Sequence, residues 1–430
     1  MKNPSPLLFL DDDLPLSEAQ DRYAARRQAL AKQLITPAVF FAVDQDLNRN
    51  LPWVHAHLPI FQDPTFLWLT GITQPHCALV LYPTGDSHLF LPPKDPSKEF
   101  WEGLRLGVGI PEAETEAREL TGLSHLHAIN TLGDYLGVTL VGIFSETPIP
   151  ISGLNTVAID ARLWPLRLPL DSVDLTAMDK ACAISTMAFK STLSHLKTFR
   201  SETEVCSVLN GHLTYSNPFG LSFPTILASG ANAAVLHYGQ NDQPIPENSL
   251  ILMDFGARWQ GMHADISRTV PANGRYTPMQ RILVGIVLDA QAHIESLVKP
   301  GIPISDLNTA CWAFIQTALV TRFEALGGTY TLPYTTQPHN VGHLLGRQVH
   351  DGDAKRLYRT TPLEEGWVIT NEPGLYGHFS ITLDGVHYDE TLGIRIEDDL
   401  LVTTTGCRNL TEHCPKDMDE IERIYNEELG

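Results

Sequence analysis

The chain has 430 residues, 43% of them apolar and 19% charged, as expected for a globular protein of about two domains. Its formal net charge of −20 argues against nucleic acid and anionic membranes as partners, because an acidic surface repels phosphate groups. The six cysteines form no CxxC pair, which indicates reduced thiols rather than a zinc cage or a dense disulfide framework.

The N-terminal stretch also argues against secretion and membrane insertion. Its apolar run, in "PSPLLFLDDD", is only four residues long and lies between prolines and aspartates, which is too short for a secretory signal. The sequence contains no run of about 18 apolar residues, the length that a membrane-spanning helix needs. A cytoplasmic location is therefore predicted.

The first part of the chain alternates short apolar runs with turns and helical stretches. A capping-box pattern at Ser17–Gln20 predicts the start of a helix, and runs such as "AVFFAV" and "CALVLY" predict strands. This alternation predicts an α/β domain over residues 1–168. The prolines of "RLWPLRLPLDS" interrupt the chain there, and residues 169–430 are expected to form a second domain.

The second domain is predicted to be α+β, with mostly hairpin-connected strands. Asp171 or Ser172 can cap a long first helix, and Ser201–Glu204 matches a second capping box. Thr277 followed by Pro278 predicts the start of another helix. Runs such as "LILMDFGA" and "WVITNE" predict the strands between these helices.

The segment "DFGARWQGMHAD" places two acids around a predicted turn. A hairpin turn centred between Trp259 and Gln260 would place Asp254 opposite Asp265, with Cβ atoms about 5 Å apart. At an effective dielectric near 20, two like charges about 4 Å apart repel by roughly 4 kcal/mol, which favours a cation between them. From this segment alone, a solvent-facing hairpin with screened acids remains the alternative.

Further candidate residues lie downstream. The segment "HNVGHLLGRQVHD" carries His339, His343 and His350, and its glycines favour a compact loop over a helix. Three histidines so close together indicate a site more strongly than a single one. Glu372 follows the run "WVITN", and Glu397 shares a strand face with an arginine; a strand-end acid and a surface ion pair are their ordinary structural alternatives.

Taken in order, five of these residues resemble the metal ligands of the pita-bread metallopeptidases, the family of methionine aminopeptidase, prolidase and aminopeptidase P. The five are Asp254, Asp265, His343, Glu372 and Glu397. The matching strings are "MDFGARWQGMHADISRT", "GHLLGRQVHD", "TNEPGLY" and "GIRIEDDLLVT", and the resemblance covers roughly residues 170 to 425. In the first half, "RYAARRQAL", "FLWLTGITQPHCALVLY" and "EFWEGLRLG" are similar to the N-terminal domain of aminopeptidase P, of the creatinase type.

The resemblance implies a metallo-exopeptidase that hydrolyses the N-terminal Xaa-Pro bond of peptides. It implies two divalent metal ions, with Mn²⁺ expected and Co²⁺ or Zn²⁺ as alternatives, since four carboxylates and one imidazole form an oxygen-rich site. A homo-oligomer, dimer or tetramer, is also expected. Two alternatives remain: a prolidase that cleaves only Xaa-Pro dipeptides, with Arg347 or Arg395 as the cation for the free carboxylate, and an inactive binding protein of the same fold.

The resemblance also implies roles for individual residues. Glu372 would bind metal and handle the proton of the attacking water, and His350 and His237 would act with it in catalysis. The expected substrate-binding residues are His339, Tyr376, Arg395 and Trp101. One departure from the family pattern is Phe223, which stands in "SFPTI" where a tyrosine is common and cannot donate a hydroxyl hydrogen bond.

Overall fold

The structure, a computed structural model, describes residues 14–43, 62–139, 143–145, 156–157, 160–353 and 355–427. The chain forms two compact units, Met1–Arg167 and Leu168–Gly430. Within the described ranges, no helix has the length and apolar character needed to cross a membrane.

The N-terminal unit is built on one mixed sheet, so its α/β class is confirmed. The strand order is β4-β3-β2-β1-β5-β6, with β2 antiparallel to both β1 and β3 and parallel pairing elsewhere. The strands are β1 (Ala38–Phe41), β2 (Ala78–Leu81), β3 (Ser87–Leu91), β4 (His125–Ala128), β5 (Ile143–Ser145) and β6 (Thr156–Val157). The helices are α1 (Leu16–Ala31), α2 (Pro64–Thr70), α3 (Pro96–Glu102), α4 (Pro111–Thr121), α5 (Leu132–Thr139) and α6 (Asp160–Arg167).

The helix starts predicted from sequence are mostly confirmed. Asp171 caps its helix by accepting hydrogen bonds from two backbone amides, and complete capping boxes form at Ser201 and at Thr277. The capping box predicted at Ser17 is wrong, because α1 begins one residue earlier, behind Pro15, and has no side-chain cap. The helices of the second unit are α7 (Ser172–His195), α8 (Glu202–Thr214), α9 (Pro278–Leu297), α10 (Ile304–Ala318) and α11 (Met418–Asn426).

The strands of the second unit form several small antiparallel sheets, as the α+β prediction requires. One sheet has the order β11-β8-β7, another β12-β15-β16, a third β13-β14-β17-β18, and β9 pairs with β10. The strands are β7 (Ile226–Ser229), β8 (Leu250–Phe255), β9 (Arg258–Trp259), β10 (Met262–His263), β11 (Ile266–Pro271), β12 (Thr329–Thr331), β13 (Leu344–Leu345), β14 (Val368–Asn371), β15 (Gly374–Leu383), β16 (Val386–Arg395), β17 (Asp398–Val402) and β18 (Cys407–Asn409).

The register predicted for the acidic hairpin is wrong by two residues. Asp254 lies opposite Ser267 rather than opposite Asp265. The turn falls on Gln260 and Gly261, both with positive φ (46° and 81°), one residue later than predicted. A two-residue hairpin turn of this kind needs positive φ at both positions, which glycine adopts at little cost. Side chains at positions i and i+2 of a strand lie on the same face, so the two-residue shift in register leaves Asp254 and Asp265 on the same face of the hairpin.

Long helix α7 supports the strands that carry the acids. Small side chains on one face, including Ala177, Ala181 and Cys182, pack against Met262 and Val368 in a single buried cluster. Such small residues let the helix approach the sheets closely, so the turn region and strand β14 share one core. Apolar packing between α7 and these strands therefore supports the acidic residues that the strands carry.

Candidate metal centre and active site

The five residues predicted as metal ligands line one cavity of about 220 Å³. Asp254 lies in β8 and Asp265 directly before β11, whereas His343 directly precedes β13. Glu372 directly follows β14, and Glu397 lies between β16 and β17. Short strands from different sheets thus end around one space.

Three of the five offer ligand atoms that lie within 4.8 Å of one another: Asp265, His343 and Glu397. Nε2 of His343 is 3.6 Å from Oδ2 of Asp265 and 3.6 Å from Oε1 of Glu372. These spacings are longer than a hydrogen bond and leave room for a cation between the groups.

The backbone around His343 fixes which of its ring nitrogens faces the acids. Nδ1 lies 3.0 Å from the carbonyl oxygen of Leu344, which can only accept, so Nδ1 carries the proton and Nε2 presents its lone pair. A Cβ on Gly342 would lie 2.1 Å from the carbonyl oxygen of Thr370, so only glycine allows this close approach. Burial, and then His350, lower the pKa of His343 to about 3, so the imidazole stays neutral.

The carboxylates at the cavity repel one another. Burial, and then the neighbouring acids Glu397 and Asp254, raise the pKa of Asp265 well above its usual range. Burial and the charges of Glu372 and Asp254 do the same for the pKa of Glu397. Burial raises the pKa of Glu372 to about 8. Such a group of acids is stable as carboxylates only with added positive charge.

Arg395 supplies one such charge. Its guanidinium donates to Oδ2 of Asp254 (2.6 Å), to Oγ of Ser267 (2.8 Å) and to the hydroxyl of Tyr376 (3.2 Å). Ser267 in turn donates to Oε2 of Glu397 (2.7 Å), so a serine links the arginine to a second acid. Oδ1 of Asp254 is buried and has no hydrogen-bond partner among the described residues. Divalent cations fit this site, because it offers the unpartnered Oδ1 of Asp254, an excess of carboxylates and the Nε2 lone pair of His343.

A second, fully buried ion pair lies behind the acids. Arg268 donates to Oδ1 of Asp398 (2.7 Å) and to the carbonyl oxygens of Glu397 (2.6 Å) and Ser267 (2.9 Å). Lys416 also contacts Asp398, through Oδ2 (2.5 Å). These cations hold the pKa of Asp398 well below its usual range despite its burial. The pair therefore fixes the backbone next to Glu397 and holds the ends of β11 and β17 together.

The predicted substrate residue His339 lines the same cavity. Its Nδ1 donates to the carbonyl oxygen of Asn340 (2.8 Å), so its Nε2 accepts the hydrogen bond of the Tyr376 hydroxyl (3.0 Å). Burial, and then the charge of Arg395, lower the pKa of His339 to about 4. A chain of hydrogen bonds thus runs from His339 through Tyr376 to Arg395.

The two other histidines also line the cavity and are more exposed. The ring of His350 lies edge-on to that of His343, with ring centroids 4.2 Å apart. No hydrogen bond reaches the ring of His237 within the described part of the chain. Trp101 belongs to helix α3, and its side chain lies outside the described residues.

The structure adds cations that the sequence reasoning missed. Arg356 and Arg359 both line the cavity, on either side of Tyr358. With its amide oxygen turned towards Arg359, Asn340 accepts from both terminal nitrogens of that guanidinium (3.1 and 3.2 Å). Arg347, predicted as a possible cation for the substrate carboxylate, does not line the cavity and forms a buried ion pair with Asp174. The signal for the missed pair is "RLYR", in which two arginines lie three residues apart.

Comparison with known proteins agrees with this geometry. Residues 176–404 match the model of metallopeptidase family M24, and residues 23–142 match that of the aminopeptidase P N-terminal domain. The chain is 31% identical to a Xaa-Pro aminopeptidase of Haemophilus influenzae, over 96% of this chain and 98% of the relative. It is 29% identical to Xaa-Pro aminopeptidase 3 of Homo sapiens, over 89% and 79% of the two chains.

The fold agrees as well. Aminopeptidase P of Escherichia coli, solved with the inhibitor Pro-Leu, superposes with a TM-score of 0.80 at 26% identity, covering 94% of this chain and 98% of that one. The resemblance stated from the motifs is confirmed, and so is the fold class: an N-terminal domain of the aminopeptidase P type and a pita-bread catalytic domain. The chain belongs to metallopeptidase family M24.

Proposed function

We propose that this protein is a Xaa-Pro aminopeptidase, a metal-dependent exopeptidase that removes the first residue from peptides with proline in the second position. The observation that carries the proposal is the meeting of four carboxylates and a neutral imidazole at one cavity, in a chain of family M24. The relatives named Xaa-Pro aminopeptidase, which match both domains, support this substrate class.

The proposed cofactors are two divalent metal ions, with Mn²⁺ expected and Co²⁺ or Zn²⁺ as alternatives. Asp254, Asp265, His343, Glu372 and Glu397 would hold them. When bound, two such ions balance the carboxylates, polarise the scissile carbonyl and bring the pKa of a water molecule towards neutrality. A Zn-substituted form of the Escherichia coli relative has been solved with product.

Glu372 is the proposed proton carrier. It lies at the cavity, with Oε1 3.6 Å from Nε2 of His343, so its carboxylate would stand beside the metal-bound water that attacks. It accepts a proton from the attacking water and delivers it to the proline nitrogen when the C–N bond breaks. Any amide nitrogen needs such a proton to leave as a neutral amine, and for proline it becomes the first hydrogen on that nitrogen.

Other side chains position the substrate. His350 and His237 face the cavity and are proposed to donate to the carbonyl oxygen as negative charge develops there. Asp254, one of the proposed metal ligands, is also proposed to meet the substrate's α-amino group, which would restrict cleavage to the first residue. His339, Tyr376 and Arg395 would hold this arrangement through their hydrogen-bond chain.

Several finer assignments are also proposals. A pocket shaped for the pyrrolidine ring would supply the proline preference, with Trp101 of a neighbouring subunit reaching into it. A homo-oligomer is proposed from the family resemblance. A cytoplasmic location is proposed from the sequence, and the six cysteines, all free thiols, are consistent with it.

The proposal is tested by incubating the purified protein with Mn²⁺ and a Xaa-Pro-Yaa tripeptide, with a Xaa-Ala-Yaa peptide as the control. We expect release of the first residue from the proline peptide only, with activity removed by a chelator and restored by metal. Absence of hydrolysis by the metal-loaded protein would refute the proposal. Stoichiometric metal in the purified protein separates an enzyme from an inactive binding protein of the same fold.

A second candidate function, prolidase, is supported by Arg356 and Arg359. These guanidinium groups line the cavity, and among the described residues no acid lies within ion-pair distance of either. They could receive the free carboxylate of a dipeptide. Comparing kcat/KM for a Xaa-Pro dipeptide and a Xaa-Pro-Yaa tripeptide decides between the two: a prolidase cleaves only the dipeptide.

A further inference from the structure

Glu202, the first residue of helix α8, is fully buried and saturated with hydrogen bonds. Its Oε1 accepts from the backbone amide (2.8 Å) and hydroxyl (2.8 Å) of Ser229 and from Nδ2 of Asn232 (3.0 Å). Its Oε2 accepts from the hydroxyl of Tyr238 (2.9 Å) and the backbone amide of Gln243 (3.0 Å). One carboxylate therefore ties together both ends and the middle of segment 229–243.

This segment carries His237 at the cavity. The His237 ring is exposed, and no hydrogen bond from the described residues orients it. The position of the ring is therefore set by its own backbone. The next residue, Tyr238, is buried against Leu252 and Tyr376, and its hydroxyl reaches Glu202. Tyr238 is thus held by a side-chain hydrogen bond, whereas the side chain of the adjacent His237 is not.

We propose that Glu202 is a positioning residue for this active site: through the hydroxyl of Tyr238 it fixes the backbone that holds His237 at the cavity. The inference rests on the proposed function, because it assigns to His237 a contact with the substrate. Neither Glu202 nor Tyr238 lines the cavity, so their influence on catalysis passes through His237.

A double-mutant cycle with Tyr238→Phe and His237→Ala tests the coupling. The phenylalanine removes one hydroxyl and keeps the ring, and the loss of one buried hydrogen bond should lower kcat about tenfold, with little change in KM. In the His237→Ala background, the same replacement should have no further effect on kcat. Fold-changes that multiply in the double variant would overturn the inference, as would an unchanged kcat in Tyr238→Phe.

Tyr425→Phe is the matched control. It removes another largely buried hydroxyl of the same unit, one that donates to the carbonyl oxygen of Ala272 (3.1 Å) and does not line the cavity. We expect its kcat to equal that of the wild type. Glu202→Gln should lower kcat more than Tyr238→Phe does. All five groups around the Glu202 carboxylate donate hydrogen bonds to it, and the NH₂ group of a glutamine cannot accept them.

Failure of the proposed function gives a different result. If the wild type cleaves no Xaa-Pro-Yaa peptide, that function is refuted, and hydrogen–deuterium exchange still tests the anchoring. The amides of residues 235–241 should exchange faster in Tyr238→Phe than in the wild type, and Tyr425→Phe should not change them. Equal exchange in all three proteins would overturn the positioning role of Glu202.

Discussion

Replacing Arg268 by methionine should destabilise the second unit strongly. The side chains of Arg268 and Asp398 are 1% and 0% exposed, and removing one partner of such a buried pair costs about 3–5 kcal/mol of unfolding free energy. Because Lys416 still contacts Asp398 in the variant, we expect the loss of unfolding free energy to lie near the lower end of this range, at about 3 kcal/mol. In a unit of about 260 residues, 1 kcal/mol shifts Tm by about 2 °C, so we expect Tm to fall by about 6 °C.

Calorimetry of the metal-free protein measures this shift, with Lys416→Met as the matched comparison. The Lys416 side chain is 29% exposed, so its loss leaves Asp398 paired with Arg268 and should cost clearly less. Because Arg268 also holds the carbonyl oxygen of Glu397, its variant should bind metal about 10–100-fold more weakly. A Tm of Arg268→Met within 2 °C of the wild type, about one third of the expected shift, would refute the reasoning. A decrease in Tm no larger than that of Lys416→Met would refute it as well.

Three further outcomes are expected. Glu372→Gln should lower kcat by at least about 10²-fold while circular dichroism stays native, because it removes the proposed proton carrier; retained turnover would remove that role. In metal-free protein the pKa of Glu372 is raised to about 8, so the stability contributed by its neutral form is complete below about pH 4.5 and is lost as pH rises through about 8. Urea unfolding across that range should show this loss, and saturating Mn²⁺ should abolish it; a flat profile without metal would contradict it. Burial, and then His125 and His127, lower the pKa of His88 to about 4, so the N-terminal unit should lose stability as pH falls from about 6.5 to about 4. Replacing His88 by phenylalanine should flatten that part of the denaturation profile, and an unchanged slope would show that His88 does not titrate this way.

The candidate acids and histidines could be chosen from sequence, and they meet at one cavity, because residue type and order can be read without any knowledge of packing. Asp254 and Glu372 could be placed at strand ends from the apolar runs beside them, whereas His343 is expected in a compact loop. The pairing register could not be placed so well, since it depends on which residues adopt positive φ in the turn. Gln260, a non-glycine residue, does so here, and the partner of Asp254 is consequently Ser267.

The hydrogen bonds that support the site could not be predicted from the sequence, for a different reason. Ser267 looks like an ordinary strand residue in "DISRT", yet it joins Arg395 to Glu397. Glu202 looks like part of a helix cap, yet its carboxylate organises a loop up to 41 residues away. Such contacts join distant parts of the chain, so their partners follow from tertiary packing and not from local pattern.

The positions of the proposed ligands along the chain also affect how the protein is made. Arg395 and its partner Asp254 are separated by 141 residues, and Glu397 comes later still. During synthesis the early acids leave the ribosome long before the arginine and the last carboxylate exist. Capture of the proposed metal ions is therefore expected among the final events of maturation, because a chain that stops before residue 397 lacks one of the five proposed ligands.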